Sequence, residues 1–155
     1  MKRSFFLALA MLSLLPFCSA QAQTDADREA VRQAALDYVE GIYNVDPSRI
    51  ERSVHSKLAK LGFYRPPADE AYRPGSPMTF EQLIQIAKNF NKEGKLRKDA
   101  PKEITVFDVL DQTATVKLVA DWGIDYMHLA KFDGKWMIVN IIWQSHPKKP
   151  VAQKQ

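Results

Sequence analysis

Apolar residues Val31, Ala35, Tyr38, Val39 and Ile42 recur at three- and four-residue steps, opposite a polar set of Arg28, Arg32, Asp37 and Glu40. That period predicts an amphipathic helix, capped by Thr24 or Asp25 and running to about Asn44. Asp46-Pro47 restarts the chain, with Asp46 as N-cap and Pro47 in the first helical position. A short second helix follows, with Ile50 and Val54 inward and His55 near its end. Leu58 to Tyr64 reads as extended or loosely helical, and Arg65 to Pro77, with four prolines and Gly75, as a loop. Thr79-Phe80-Glu81-Gln82 has the form of a capping box, opening a third helix to about Asn91 with Phe80, Leu83, Ile84, Ala87 and Phe90 on its apolar face; Gly94 stops it. From Lys102 onward the period changes to two. Strands are expected at Lys102–Leu110, Thr113–Asp121, Gly123–Phe132 and Lys135–Gln144, with tight turns at Asp111-Gln112 and Asp133-Gly134. Three helices followed by an antiparallel meander make an α+β fold.

The first 22 residues stand apart from this pattern. Lys2 and Arg3, the apolar stretch Phe5 to Phe17, and Ala20-Gln21-Ala22 read as a signal peptide, with cleavage after Ala22 and Ala20 as the second choice. The apolar run is too short to span a bilayer, which takes about 20 residues. Phe17 fills the place where a lipoprotein signal has a small residue, so Cys18 is read as leaving with the leader. The expected protein is therefore exported, periplasmic or secreted, without cysteine and with no membrane association after cleavage. Removal of 22 of the 155 residues leaves 133, enough for one domain with a core (23–146) and a flexible basic tail (147–155). Of the 22 Lys and Arg, two go with the leader, so 20 face 18 acidic residues, a net +2. The remaining basic clusters lie in a loop and in the tail without interleaved aromatics, and nucleic acid is not an expected partner.

Certain runs carry a family resemblance. Asp37-Tyr38-Val39-Glu40-Gly41-Ile42-Tyr43, then Arg52, His55 and Leu58, then Met78-Thr79, and above all Asp125-Tyr126-Met127-His128-Leu129-Ala130-Lys131, Asp133-Gly134-Lys135-Trp136 and Ile138-Val139-Asn140 leading to Trp143, resemble the putative lumazine-binding family. That family falls in the nuclear-transport-factor-2-like (SnoaL-like) superfamily, beside polyketide cyclases and ketosteroid isomerases. The resemblance covers nearly all of the chain after the leader. It implies a cone of three N-terminal helices packed on a strongly curved antiparallel sheet, a cavity between them, and frequent dimerisation. It carries no catalytic motif.

Register sharpens the candidates. A two-residue Asp133-Gly134 turn pairs Phe132 with Lys135, and simple counting then sets Met127 opposite Asn140 and Asp125 opposite Ile142. One face carries Asp125, Met127, Leu129, Trp136, Ile138, Asn140 and Ile142; the other carries Tyr126, His128, Val139, Ile141 and Trp143. Both are largely apolar, so both are expected to be covered. By resemblance the Asp125/Asn140 face looks into the cavity, and the Tyr126/His128/Trp143 face forms a homodimer. Asp125 in apolar surroundings is a candidate general base, with a raised pKa. Asn140 is a candidate hydrogen-bond donor to a ligand, and Tyr38, Trp122, Met127 and His55 are candidate lining or assisting residues. His55 at a helix end also suits the helix dipole. The histidines share no ligand spacing and no metal or cofactor motif occurs, so neither is expected.

Three functions follow: a binding domain for a small organic ligand, which ranks first; a non-catalytic interaction domain; and an isomerase, cyclase or dehydratase using Asp125.

Overall fold

A computed structural model of the chain describes residues 18–66, 69 and 71–148. Most of the expected leader, and the tail from 149, lie outside the described residues. Helix α1 spans Cys18–Tyr43, α2 Pro47–Ser53 and α3 Phe80–Asn89; strands β1 to β6 span Val54–Tyr64, Arg73–Pro74, Glu103–Val109, Thr113–Ala120, Gly123–Phe132 and Lys135–Gln144. The fold is α+β: three helices on one six-stranded sheet of order β2-β1-β6-β5-β4-β3.

Local chemistry sets most of these boundaries. Asp46 accepts from the Ser48 amide at 3.1 Å and Pro47 opens α2. The Thr79–Gln82 capping box is formed in both directions. Asp133 and Gly134 both adopt positive φ, as a two-residue hairpin with the right-handed twist requires. Helix α1 passes straight through Thr24 and Asp25, so neither caps it.

Three expectations are corrected. α2 ends at Ser53, and His55 is the second residue of β1 rather than a helix terminus. Of the two readings open for Leu58 to Tyr64 the extended one holds, but β1 runs parallel to β6, so the sheet is mixed instead of wholly antiparallel. Part of the proline-rich loop is also strand: Arg73–Pro74 pairs antiparallel to Phe63 and Tyr64 at the sheet edge.

A further correction is a bulge. Leu129 pairs with Ile138, but His128 pairs with Asn140, leaving Val139 as an extra residue. Beyond it every side chain of β6 changes face. Met127 therefore pairs with Ile141 and Asp125 with Trp143. Ile141 is buried, whereas Ile142 is half exposed. β1 carries its own irregularity at the same level, between Val54 and Ala59. The two bulges together bend the sheet around α1.

The core lies between the concave face and the helices. Val31, Ala35, Tyr38, Val39 and Ile42 of α1, with Leu83 and Ala87 of α3, meet Val116, Leu118, Met127, Leu129, Ile138 and Ile141. Each large aliphatic side chain buried this way contributes about 1.5–3 kcal/mol.

Candidate ligand pocket

Part of the space between α3 and the sheet is unfilled. The pocket there has a volume of about 560 Å³. Its deep walls are the buried Tyr38, Ile42, Leu83 and Lys60, while Met78, Ile86, Trp122, Trp143 and the rim residues Gln85, Asn89 and Phe90 stand further out. Helical spacing aims Leu83 and Ile86 at it together. Met78 is held against β1 by its amide donating to the Lys60 carbonyl at 2.9 Å. Gly62 shapes the Trp143 wall: a Cβ there would lie 2.3 Å from the indole, so only glycine lets the ring lie against β1. Trp122 meets Tyr38, Tyr43 and Phe90 edge-on at centroid distances of 6.0, 5.6 and 5.6 Å. These contacts fix the aromatic side.

One cation sits at the deep end. Lys60 is only 7% exposed, and its Nζ donates to the Tyr38 hydroxyl at 2.5 Å. It lies 5.2 Å from the Tyr38 ring centroid and 5.9 Å from that of Trp143. Behind it, 4.0 Å from Nζ, is Oδ1 of the fully buried Asp125. Trp122 Nε1 donates to Oδ2 at 3.1 Å, while Oδ1 has no hydrogen-bond partner. Burial dominates the electrostatics. It pulls the Lys60 amine below its ordinary value, opposed by the Asp125 charge. It raises the Asp125 carboxyl, opposed by the Lys60 charge, the Trp122 N–H and the Tyr38 hydroxyl. The Tyr38 phenol is pushed well above 10.0 by burial and then by the Asp125 charge, so it stays protonated. Desolvation thus disfavours charge on the amine and the carboxyl alike.

The sequence-derived candidates separate into groups. Tyr38 and Trp122 line the pocket. Asp125 points inward but sits behind Lys60, Tyr38 and Trp122 and is not among the lining residues; Met127 is likewise buried in the sheet core. Asn140 is placed on the opposite side from that expected. The bulge turns it to the outer face, where its carbonyl lies 3.0 Å from His128 Nδ1 and its amide donates to the Ala59 carbonyl at 2.9 Å. Trp143 is reversed in the other direction: assigned to the outer face by counting, it forms a pocket wall. His55 lies away from the pocket, stacked on Phe132 at 4.6 Å. Lys60, Met78, Leu83, Ile86 and Phe90 are lining residues that sequence reasoning did not assign to a site. The usable signal for Lys60 was period two along β1, where Leu58, Lys60 and Gly62 share the buried face.

Helices and sheet in this arrangement recur among solved structures. A nuclear-transport-factor-2-like protein with a cystatin-like fold from Novosphingobium aromaticivorans superposes with a TM-score of 0.59 at 13% identity, covering 92% of this chain and 97% of that one. A nuclear-transport-factor-2-like protein of unknown function from Silicibacter pomeroyi gives 0.56 at 14% identity, over 82% and 99% of the two chains. Another of unknown function, from Shewanella baltica, gives 0.54 at 18% identity, over 84% and 99%. At these identities the likeness is one of fold. No curated protein matches the chain. The family model described as putative lumazine-binding matches residues 26–144, from the described part of α1 through the last residue of β6. The chain therefore belongs to the putative lumazine-binding family, within the nuclear-transport-factor-2-like fold.

Proposed function

We propose that the protein binds a small, flat, largely apolar organic molecule carrying one acceptor group, carboxylate or carbonyl, which meets Lys60 and Tyr38 at the deep end of the pocket. One observation carries this reading: a single buried cation closes an otherwise apolar, aromatic-walled cavity of about 560 Å³. Cavities of this size and lining suit small organic ligands, with a few polar groups fixing orientation. A pteridine-dione, to which the family label refers, presents several ring acceptors, and few polar groups stand ready to match them; unmatched polar atoms are costly to bury. Asp125 as a general base acting directly on substrate fits less well, because Lys60, Tyr38 and Trp122 stand between it and the pocket. Titration with 2-naphthoate, followed by the emission of Trp122 and Trp143, tests the reading. Saturable one-to-one binding is expected, weakened tenfold or more by Lys60→Met, while naphthalene binding changes little. Equal naphthoate affinity in the variant refutes the anchoring role.

We further propose that a second copy of the chain covers the outer sheet face. Leu61 pairs with Ile142 and Ile142 with Tyr126, and Phe107 stacks on Tyr126 at 6.5 Å past Lys117 of β4, giving an exposed, largely apolar stripe across the sheet. The register places one charge in it, Lys117 opposite Tyr126, and a two-fold copy must seat the two ammonium groups apart. Its members are Tyr126 and neighbours, with the His128–Asn140 pair beside it; Trp143 is not part of it. Light scattering should give a dimer that Ile142→Glu converts to monomer. A monomeric mass for the parent protein refutes it.

We also propose that the protein works after export, on the strength of its leader-like first 22 residues. Expressed with its native N-terminus in a Gram-negative host, it should be recovered from the periplasm starting at Gln23 or Gln21. Full-length protein retained in the cytoplasm contradicts this.

A further inference from the structure

We propose that Lys60 captures carbonyl ligands covalently, forming an imine with a flat aromatic aldehyde or ketone held in the pocket. This inference rests on the pocket reading above and adds a reaction to it. Three features of the geometry support it. The amine lies at the closed end of an apolar cavity, so a carbonyl group carried in by an aromatic body arrives beside Nζ. The Tyr38 hydroxyl, 2.5 Å from Nζ, is placed to share a proton with the carbonyl oxygen as the nitrogen attacks. Asp125 Oδ1, 4.0 Å from Nζ and fully buried, stands behind the amine where it can hold the proton that the neutral amine has given up.

The step balances without any redox partner. The Nζ lone pair forms a bond to the carbonyl carbon, and the carbonyl π pair moves to oxygen, which takes the Tyr38 proton. The surplus proton on nitrogen passes to the Tyr38 oxygen, 2.5 Å away, restoring the phenol and giving a neutral carbinolamine. The remaining nitrogen lone pair then expels the hydroxyl group, which takes the proton held by Asp125 and leaves as water. The N–H of the protonated imine returns a proton to the Asp125 carboxylate, so both amine protons are spent and a neutral carbon–nitrogen double bond remains. Burial favours the neutral, nucleophilic form of the amine, which is how desolvated lysines become nucleophiles. Exposed lysines on this chain, such as Lys57 and Lys88, lack such a setting. Tyr38 and Asp125 move protons in this scheme, and Lys60 alone bonds to the ligand.

The test uses the whole protein, 2-naphthaldehyde as probe and borohydride to fix any imine as a stable amine. Intact mass and peptide mapping are expected to show one naphthylmethyl group on Lys60, forming at least tenfold faster at pH 6.5 than on any other lysine. Tyr38→Phe should slow that adduct about tenfold or more even when compared at equal pocket occupancy, set by the affinity of each protein for 2-naphthalenemethanol, a matched alcohol that cannot form an imine. Lys60→Arg should abolish it. If the alcohol binds in the pocket but label spreads over the exposed lysines, the covalent inference fails and the binding reading stands. If neither compound binds, both fail.

Discussion

Replacing Lys60 by Met offers a quantitative test of the buried charge cluster. The substitution removes the cation 4.0 Å from Asp125 and leaves a fully buried carboxyl with one hydrogen bond, from Trp122. In the unfolded chain that carboxyl titrates near its ordinary 3.8. In the native variant the largest opposing influence, the Lys60 charge, is gone and only the Trp122 N–H and the Tyr38 hydroxyl resist burial, so the group takes up a proton. In the parent protein the Lys60–Asp125 pair has no net charge, whether as an ion pair or after an internal proton transfer, so folding involves no net uptake by the pair. The variant's raised carboxyl gives the opposite case: stability is fully present below about pH 3.8 and lost as pH rises toward the folded value. The slope for one proton is about 1.4 kcal/mol per pH unit. Protonation caps the cost of the lost partner at about 4 kcal/mol at pH 7, and at about 1 kcal/mol at pH 4.5. Any gain from burying Met in place of an amine is the same at every pH and leaves the slope intact. Urea unfolding of both proteins between pH 4.5 and 7, followed by tryptophan emission, measures the difference. A cost constant within about 0.5 kcal/mol across that range refutes the reasoning, and adding Asp125→Asn to the variant should flatten the slope.

Other consequences concern the scaffold. Asp37 ties α2 to α1 through two 2.7 Å hydrogen bonds from Arg52, with Arg49 at 3.1 Å. Burial acts to raise its pKa, but the Arg52 hydrogen bond and the charges of Arg52 and Arg49 outweigh this and hold it below 3.8. Asp37→Asn should cost about 1–2 kcal/mol at pH 7, at the lower end because Arg52 is half exposed. Since the native pKa is lowered, the contribution exists above pH 3.8 and fades as pH falls through the native value; a cost that persists in acid contradicts it. Gly62→Ala brings a Cβ within 2.3 Å of both the Trp143 indole and its backbone carbonyl, so ring and strand must both shift, costing about 1–3 kcal/mol and moving tryptophan emission to the red. An unchanged spectrum and melting temperature would show that Trp143 is not wedged there.

Much of the fold was legible because punctuation and period agreed. Asp46-Pro47, the Thr79–Gln82 box and Asp133-Gly134 each mark a boundary found in the structure, and the stripe of α1 is the stripe it buries. The site was harder to read for two physical reasons. Val139 carries no residue signature of a bulge, since it is β-branched in a strand where Ile138, Ile141 and Ile142 are too. Counting through it exchanged the faces of Asn140 and Trp143. In β1 hydropathy points the wrong way: Leu61 and Phe63, the residues a core would claim, are 44% exposed, and Lys60 is inside. A local pattern cannot show that the outer face is itself apolar or that a lysine has a buried partner sixty-five positions away. Asp125 was legible as an inward carboxylate because it precedes the bulge in β5, on the side of the hairpin where alternation is unbroken.

The central claim is the location of the ligand, and methyl NMR locates it directly. With Ile, Leu and Met methyls labelled, 2-naphthoate should shift Ile42, Met78, Leu83 and Ile86 in a saturable way and leave Leu61 and Ile142 on the outer face unmoved. Shifts confined to the outer face, or none at saturating probe, would contradict the account.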